Sequence, residues 1–510
     1  MRFAHRVETV RAAEAALMAT LPDGTLMARA AAGLAASCAQ LLGGLYGRRI
    51  ALLVGSGANG GDALLAGARL VRRGATVKAL LLDPDRAHPG ALAALRLAGG
   101  WIVPATAAQL ADADLVVDGI TGIGGRGGLR PHAAELVRAV RAPVVAVDVP
   151  SGVDADTGEV AGEAVRAAAT VTFGTYKNGL LIDPGHAYAG AVRLIDIGLG
   201  PYLPGADLAA PQHADVARLL PLPTAASDKY GRGVVGVAAG SERYPGAAVL
   251  AVGGALCGGA GAVRYVGPAR EAVIARWPEA LVHAGAPGDA GRVQAWVVGP
   301  GLGEGAEAAE TVAQVLASDV PVLVDADGLR YLTPHQIAAR TAPTLITPHA
   351  GEAARLLGVD RAQVEARRLS ALRKLAAAYG VTALLKGNTT LVSGTPARVN
   401  PTGTPWLATA GSGDVLSGLT GALLAAGLPP TEAAMTGAYL HGLAGRRAAQ
   451  GGGPTGRVGW TGEARDTERD EAAAARRPSG EAYVPGAPIT AMDLVTALGP
   501  VWREVSASGL

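Results

Sequence analysis

The stretch from Gly411 to Asp414, Gly-Ser-Gly-Asp, constrains this chain more than any other because it runs directly into an apolar segment, Val415 to Gly427. A glycine turn that opens a helix leaves several backbone N–H groups unpaired at the positive end of the helix dipole. Such a place binds phosphate or stabilises an anion as it forms. Asp414, in the first helical turn, could accept a proton from a hydroxyl that attacks a phosphoryl group, or could simply cap the helix. The four residues alone leave both roles open.

Three segments upstream of this turn place polar residues directly after apolar runs. They are Val324 to Gly328, Thr347 to Glu352 and Leu384 to Val392, and each run is predicted to be a strand. Lys386, beside a glycine, would bind phosphate as a point charge or form an ordinary surface ion pair. His349 would either belong to the binding site or only form a hydrogen bond that stabilises a turn. The sequence contains no Gly-x-x-x-x-Gly-Lys-Ser/Thr string, which excludes a P-loop kinase.

The order of these motifs resembles the ribokinase-like superfamily, and within it the dehydratases that repair hydrated NADH and NADPH with ADP. The resemblance implies that Asp414 deprotonates the ring hydroxyl, which is phosphorylated and then lost as phosphate. Mg²⁺ is expected with the nucleotide, and the motifs do not decide between ADP and ATP. One departure is Asp228, where the family commonly has His. The resemblance places the substrate at Ala247, Gly303, His349 and Asp414, and the nucleotide at Lys386, Gly387, Asn388, Thr389, Thr390 and Gly413.

Polar residues also follow three apolar strands in the first part of the chain. Arg49 to Val54 leads into a glycine turn and a helix predicted from Ala63 to Arg73, and two later strands lead to Asp118 and Ser151. The turn is not Gly-x-Gly-x-x-Gly followed by a strand with a ribose-binding acid, which disfavours an ordinary dehydrogenase. Asn59, Asp118 and Ser151 could each cap a turn. Together at one sheet edge, their oxygens suit a monovalent or hard divalent cation rather than zinc.

The first 200 or so residues resemble the epimerase domain of the same hydrate-repair family. The resemblance implies K⁺ on Asn59, Asp118 and Ser151, with Asp148 as the acid/base that exchanges the ring hydroxyl. Lys177 matches a family lysine near the site, or is a surface lysine on a turn. Ala58 replaces the first Asn of the family motif. The implied contacts to the hydrated dinucleotide are Ala58, Asn59, Gly60, Gly61, Asp62, Gly122, Ile123, Gly124, Gly125, Arg126, Gly127, Gly128 and Asp148.

The length of 510 residues predicts two or three domains. We expect an α/β protein: a Rossmann-like three-layer epimerase domain at 1–212, and a ribokinase-like dehydratase domain at 213–510 with a mobile insertion at 451–480. The expected function is two-step repair of hydrated NADH and NADPH. An alternative is a small-molecule kinase of the ribokinase superfamily with an appended nucleotide-binding domain. In a third interpretation the first domain only binds or oligomerises.

Composition narrows the choice of partners. Lys plus Arg number 45 against 43 Asp plus Glu, and no basic stripe rich in aromatics occurs, so nucleic acid is not expected. Cys38 and Cys257 lie in apolar helical patterns, which favours buried thiols over a disulfide or zinc site. The amphipathic start and the glycine-broken apolar runs predict neither signal peptide nor membrane span. We therefore expect a cytoplasmic homo-oligomer that acts on small molecules.

Overall fold

Short apolar strands alternate with helices along residues 1–451 and 486–508, the part of the chain that the computed structural model describes. The predicted insertion at 451–480 lies, except for Gly451, outside these residues. Contacts divide the chain into two units: residues 2–208 form the first, and Met1 with the described residues from 209 onward forms the second. The boundary predicted from the sequence, between 212 and 213, lies just after this division.

The first unit is built on seven parallel strands in the order β4-β3-β2-β5-β6-β7-β9, and a short strand β1 pairs in parallel with β8. Its elements are β1 (Arg2–His5), α1 (Val7–Met18), α2 (Thr25–Leu41), β2 (Arg49–Val54), α3 (Ala58–Arg72), β3 (Thr76–Leu81), α4 (Pro89–Ala98), β4 (Trp101–Val103), β5 (Leu115–Gly119), α5 (Pro131–Ala139), β6 (Val144–Val147), β7 (Ala169–Phe173), β8 (Tyr176–Lys177), α6 (His186–Ala189) and β9 (Ala191–Ile195).

Both faces of this sheet are covered. Leu52 of β2 belongs to a core formed with α1 to α4, whereas the next residue, Leu53, belongs to a second core formed with α5. Successive strand residues point to opposite faces, so the apolar run of β2 is buried on both sides. The strand order reverses between β2 and β5, which is where open α/β sheets bind ligands. The predicted Rossmann-like three-layer fold is confirmed.

The helix after β2 corrects the sequence prediction. It begins at Ala58 and not at Ala63, so Asn59 and Asp62 lie in its first turns. The prediction was wrong because the two glycines of this stretch favour a loop. Here they allow close packing, since a Cβ at Gly60 would collide with the carbonyl oxygen of Gly55, and one at Gly61 would lie 3.0 Å from the Met27 methyl group.

The second unit has a mixed sheet in the order β13-β12-β11-β14-β15-β16-β17-β18-β19, parallel up to β17 and antiparallel beyond it. Its elements are β10 (Leu208–Ala210), which begins at the boundary, α7 (His213–Ala217), β11 (Val234–Ala238), α8 (Pro245–Cys257), β12 (Ala262–Val266), α9 (Arg270–Arg276), β13 (Leu281–His283), β14 (Ala295–Val298), α10 (Ala306–Leu316), β15 (Val322–Val324), α11 (Pro334–Ala338), β16 (Thr344–Ile346), α12 (Ala350–Leu357), α13 (Arg361–Ala366), α14 (Arg368–Tyr379), β17 (Thr382–Leu385), β18 (Thr390–Val392), β19 (Ala397–Asn400), α15 (Ser412–Ala425), α16 (Pro430–Ala449) and α17 (Ala491–Ala507).

Two glycines let α15 pack directly against α8. A Cβ at Gly254 would collide with the carbonyl oxygen of Val415, and one at Gly418 would collide with that of Ala251. Val297 and Leu323 of the sheet join α8, α15 and α16 in one core, while α10 and α14 contact β14 and β17. The predicted α/β class with a ribokinase-like second domain is confirmed. The close packing fixes the position of the N-terminus of α15.

Two general expectations bear on the fold. Cys38 is buried and Cys257 is half-buried, and both are free thiols. Burial raises the pKa of the Cys38 thiol to about 12, which makes it unreactive at neutral pH. None of the described helices combines the length and the apolar character that a membrane span needs.

Two candidate active sites

A cavity of about 770 Å³ lies in the second unit, where the turns after β15, β16 and β17 meet the start of α15. It brings together segments that are far apart in the sequence, from Asp325 to His441, as the motif order predicted. The predicted residues that line it are His349, Lys386, Gly387, Asn388, Thr390, Gly413 and Asp414; further lining residues include Asp325, Glu352, Arg368 and His441.

Asp414 stands in the first turn of α15, as predicted. The residue before the helix, Gly411, has φ = 85°, a backbone conformation that glycine adopts without strain. Burial and the negative charge of Asp325 raise the pKa of Asp414 to about 7, although Lys386 acts in the opposite direction. A carboxyl group with this pKa can accept a proton near neutral pH.

Lys386 is held by carboxylates of the cavity rather than by a surface partner. Its Nζ lies 2.7 Å from Oδ1 of Asp325 and 3.8 Å from Oε2 of Glu352. Burial alone would lower the pKa of Lys386, but the two carboxylates outweigh it and the pKa is raised. The second oxygen of Asp325 accepts a hydrogen bond of 2.7 Å from the Ser417 hydroxyl, so this carboxylate joins Lys386 to α15.

His349 both lines the cavity and holds a turn. Nδ1 of the His349 ring accepts a hydrogen bond of 2.9 Å from the backbone N–H of Gly351. The backbone N–H of His349 donates to Oε2 of Glu352 at 2.7 Å. This reciprocal arrangement caps α12. Burial lowers the pKa of His349, so the ring is neutral at pH 7, and its Nε2 lies 3.5 Å from Oε1 of Glu352.

Arg368 fixes the turn after β17 through hydrogen bonds to backbone carbonyl oxygens. Its Nη2 donates to the carbonyl oxygens of Leu385, Lys386 and Thr389 at 3.2, 3.0 and 3.3 Å. A Cβ at Gly387 would collide with this guanidinium group, which explains the glycine. Thr389 is buried and does not line the cavity.

Two residues that the resemblance placed at the substrate also lie outside this cavity. Ala247 packs against Gly301, since a Cβ added at Gly301 would lie 2.6 Å from the Cβ of Ala247. The N–H of Gly303 donates to Asp327 at 2.8 Å, and the charge of Asp327 helps to raise the pKa of Asp414. Asp228, the departure from the family pattern, accepts hydrogen bonds from the backbone N–H groups of Tyr230 and Gly231 and does not line the cavity.

In the first unit, the three predicted cation ligands converge on the segment that follows β5. Asp118 is fully buried, and its two oxygens accept hydrogen bonds from the Ser151 hydroxyl and N–H at 2.6 and 2.9 Å. Burial raises the pKa of Asp118 to about 6. The Ser151 hydroxyl in turn accepts a hydrogen bond from the backbone N–H of Thr121. The amide oxygen of Asn59 packs against Gly122, since a Cβ added at Gly122 would lie 2.9 Å from this oxygen.

This arrangement fits a monovalent cation. Within residues 1–451 and 486–508, Asp118 has no cationic partner, and the buried Asn59 amide nitrogen has no hydrogen-bond partner. No cluster of three or more His, Cys, Asp or Glu side chains in those residues could hold a metal. Oxygen ligands with a single carboxylate suit a hard ion of low charge.

Asp148 forms a buried ion pair with Lys177, whose Nζ lies 2.5 Å from Oδ1 of Asp148. The Thr172 hydroxyl donates to the same oxygen at 3.0 Å. Asp148 has φ = 66°, which is uncommon for a residue with a Cβ and frequent at functional sites. Lys177 is buried beside Asp148, so the surface interpretation of this lysine is wrong.

Two further carboxyl groups approach this pair. Asp62 is buried, and burial together with the charges of Asp148 and Glu14 raises its pKa well above the usual value. Burial also raises the pKa of Glu14, which lies on α1. With Lys177 as the cation, the group holds one positive charge among three carboxyls, which favours protonation of at least one of them.

Only part of the glycine-rich loop that was predicted to contact the substrate lines a cavity. Ile123, Gly124, Gly125 and Arg126 line a second cavity of about 220 Å³ together with Val7 and Arg11 of the first unit. Gly122 packs on Asn59, and Gly128 packs on Gly162, so these two serve the loop's own structure. Gly127 has φ = 72° and open space around its Cα. Ala58, Gly60 and Gly61 belong to the start of α3 and do not line the cavity.

Comparison with known proteins supplies the family. Residues 23–179 match the family described as YjeF-related protein N-terminus, and residues 235–457 match the one described as NAD(P)H-hydrate dehydratase. The chain is 52% identical over 435 residues to a bifunctional NAD(P)H-hydrate repair enzyme of Mycobacterium tuberculosis, an alignment that covers 83% of this chain and 89% of that protein. It belongs to the bifunctional NAD(P)H-hydrate repair enzymes.

Two other relatives, both bacterial repair enzymes, agree with this membership. The repair enzyme of Mycobacterium leprae is also 52% identical, over 83% of this chain and 89% of its own length, and that of Corynebacterium glutamicum is 38% identical over 73% and 77%. A solved structure, an ADP/ATP-dependent NAD(P)H-hydrate dehydratase from Bacillus subtilis, is 28% identical, covering 57% of this chain and 97% of its own, with a TM-score of 0.46. The family resemblance inferred from the motifs is confirmed.

Sequence reasoning on this repair enzyme did not assign roles to several residues that the structure places at the two sites. Asp325 follows β15 in a segment singled out as a motif, so a signal was present without an assigned role. Arg368 and His441 lie inside helices with no local motif. Glu14 and Arg11 share one face of α1, where the polar spacing alone is typical of a solvated helix side.

Proposed function

We propose that this chain repairs hydrated NADH and NADPH in two steps. Residues 1–212 interconvert the R and S hydrates, and residues 213–510 dehydrate the S hydrate with ADP, giving NADH or NADPH, AMP and phosphate. The observation that carries the second step is a carboxyl with a pKa of about 7, Asp414, at the amide-rich start of α15, facing a cavity that also holds Lys386. Family membership supports both steps.

In the dehydration step, Asp414 removes the proton of the ring hydroxyl while that oxygen attacks the β-phosphorus of ADP. The bond from this phosphorus to the bridging oxygen breaks, and AMP leaves. Lys386 and the N–H groups of residues 411–414 hold the charge that develops on the transferring phosphoryl group. The ion pair with Asp325 aims the Lys386 ammonium group at this position.

Phosphorylation makes the later elimination possible because phosphate leaves far more readily than hydroxide. The lone pair of the ring nitrogen expels phosphate from the neighbouring carbon, and loss of a proton from the next carbon restores the double bond. The electron pair of the broken C–O bond leaves with phosphate, so the step needs no oxidant or reductant. A repair enzyme therefore needs one base and one anion site here.

In the epimerisation step, Asp148 exchanges a proton with the ring hydroxyl as that group leaves and returns on the opposite face. The ring nitrogen supplies the electrons, so one positioned acid/base suffices. Lys177 holds the carboxylate in place through a 2.5 Å contact, and Asp62 supplies a second carboxyl group with a raised pKa beside it.

Two ions belong to the proposal. Asn59, Asp118 and Ser151 would hold K⁺, which would compensate the buried charge of Asp118 and fix the loop after β5. Mg²⁺ would enter with ADP, bound mainly by phosphate oxygens and water, in keeping with the lack of an acidic ligand cluster in the described part of the chain. A cytoplasmic location and a homo-oligomeric state remain predictions, the second open to size-exclusion chromatography with light scattering.

The decisive assay follows ultraviolet absorbance when the full chain acts on a mixed-epimer hydrate preparation with ADP and Mg²⁺. Complete conversion to NADH, with one phosphate released per molecule, supports both steps. Conversion that stalls once the S hydrate is consumed contradicts the epimerase assignment. A stable phosphorylated product without recovered NADH absorbance contradicts the repair function and favours the small-molecule kinase. Parallel reactions with ADP and ATP decide which nucleotide is used.

A further inference from the structure

The 220 Å³ cavity of the first unit holds two arginine side chains to which no step of the proposed mechanism gives a role, although the family resemblance already implied that Arg126 contacts the substrate. Arg11 of α1 and Arg126 of the glycine-rich loop both line it. Neither guanidinium group forms a hydrogen bond or an ion pair with any residue that the structure describes. A Cβ at Gly124 would lie 3.2 Å from Nη2 of Arg11, so the loop backbone and this guanidinium group are in contact range. Guanidinium groups without a hydrogen-bonded partner, beside a glycine loop, are the kind of groups that bind an anion.

The acidic residues of the same cavity do not cancel this charge by pairing with it. Oδ1 of Asp154 accepts hydrogen bonds from the backbone N–H groups of Asp156 and Thr157, both at 2.9 Å. Oδ1 of Asp156 accepts a hydrogen bond of 2.6 Å from the N–H of Val7. Each carboxylate therefore closes a local turn or anchors the start of α1, and both arginines stay available to a ligand.

Helix α1 connects this cavity to the ion pair of the epimerase site. Val7 and Arg11 line the cavity, and Glu14, on the same helical face, interacts electrostatically with Lys177, Asp148 and Arg11 itself. A helix rises about 1.5 Å per residue, so Arg11 and Glu14 are separated by only about 4.5 Å along the axis. Arg11 and Asp148 therefore both lie within electrostatic range of Glu14, which places the cavity near the proposed position of the substrate ring.

We propose that Arg11, together with Arg126, binds a phosphate group of the hydrated dinucleotide during epimerisation. This rests on the proposed function of the first unit. The cavity is smaller than a pocket for a whole drug-sized ligand, which fits a subsite for one part of the coenzyme. Both the central diphosphate and the 2′-phosphate of the NADPH hydrate present this chemistry, and the test separates them.

The test measures R-to-S conversion by chromatography with the full-length enzyme and its Arg11→Ala variant. Loss of a charge-assisted contact is expected to raise KM about tenfold to a hundredfold with kcat little changed. Arg11→Lys, which keeps the charge, is expected to recover part of the loss. Arg72→Ala, which removes an exposed arginine from the last turn of α3, is the matched control and is expected to leave KM unchanged.

Comparing the hydrates of NADH and NADPH identifies the phosphate. An equal rise in KM for both supports the diphosphate, and a rise for the NADPH hydrate alone supports the 2′-phosphate. Inorganic pyrophosphate gives a second readout, since it is expected to inhibit the wild-type enzyme competitively and the Arg11→Ala variant much less. An unchanged KM with unchanged inhibition overturns the phosphate site. A wild-type enzyme that does not interconvert the epimers overturns the proposed function instead.

Discussion

The ammonium nitrogen of Lys177 lies 2.5 Å from the Asp148 carboxylate, and the two side chains are 1% and 10% exposed. Lys177 also donates to the carbonyl oxygen of Phe173 at 2.8 Å and to the Thr172 hydroxyl at 3.1 Å. A buried ion pair is tolerated when hydrogen bonds of this kind satisfy the remaining donors. The pair therefore fixes the Asp148 carboxyl group at the place where the substrate ring is expected.

Lys177→Met should destabilise the first unit by about 3–5 kcal/mol, because Asp148 is left as a buried charge without its partner. The double variant Lys177→Met/Asp148→Asn should lose markedly less, since neither charge remains. Hydrogen exchange of β6 and β7 peptides at increasing urea concentration measures the loss in this unit. Lys78→Met, which breaks an ion pair with the exposed Asp112, should cost less than about 1 kcal/mol. Equal losses for the single and double variants would contradict the pairing argument.

Asp148→Asn should slow interconversion of the R and S hydrates by about 10²- to 10⁴-fold, the usual contribution of a positioned acid/base. Dehydration of the pure S hydrate should be unchanged, because that step belongs to the second unit. Chromatography of each epimer over time measures both rates. Asp112→Asn, at an exposed site, is the control. Interconversion at the normal rate in the Asp148 variant would exclude this residue as the acid/base.

Dehydration should depend on pH through Asp414, whose pKa burial and Asp325 raise to about 7. Only the unprotonated carboxylate can accept the hydroxyl proton, so kcat/KM should rise with pH up to about 7 and level off above it. Asp414→Asn should lower the rate by about 10²- to 10⁴-fold and remove this rise, with epimerisation intact. NADH absorbance from the S hydrate and ADP at pH 5.5 to 9 is the measurement. A variant with retained activity or the same pH profile would refute the assignment.

K⁺ should stabilise the first unit through Asp118. At a concentration a hundredfold above the dissociation constant, a ligand that binds only the folded state adds about 2.7 kcal/mol. Thermal unfolding in potassium chloride against choline chloride should show this gain, and Asp118→Asn should remove it. Asp23→Asn, at an exposed turn between α1 and α2, should keep it. Equal unfolding in both salts for the wild type would argue against a K⁺ site.

Gly387→Ala should raise KM for ADP roughly tenfold or more, because the new methyl group displaces Arg368 and with it the turn that carries Lys386. Epimerisation should not change. Gly288→Ala is the matched control, since its Cβ would meet no atom within 4 Å. Initial rates of S-hydrate dehydration at varied ADP give the comparison. If both variants keep the wild-type KM, the turn after β17 does not bind the nucleotide.

Local pattern was enough to predict the strand from Arg49 to Val54 and the placement of Asp414 in the first turn of α15. A short apolar run bounded by turn residues is typical of a strand buried on both faces of a sheet, and a Gly-Ser-Gly-Asp turn before a longer apolar run is typical of the start of a buried helix. The start of α3 was wrong because glycine favours loops in isolation. Tertiary packing against Gly55 overrides this preference at Gly60.

Roles that depend on long-range contact could not be predicted in this way. Asp325 and Lys386 are 61 residues apart, and their ion pair follows from the proximity of strand ends that only the sheet order establishes. The same holds for Arg368, whose three carbonyl partners belong to the turn after the next strand. Spacing within one helix contains no trace of such partners.

The shared carboxylate of Asp325 has a consequence for turnover. Because one of its oxygens holds Lys386 and the other holds Ser417, the turn after β17 and helix α15, between which we propose that the nucleotide binds, cannot separate without breaking an ion pair or a hydrogen bond. We therefore expect these two elements to keep their spacing through turnover, so that AMP departs without their separation.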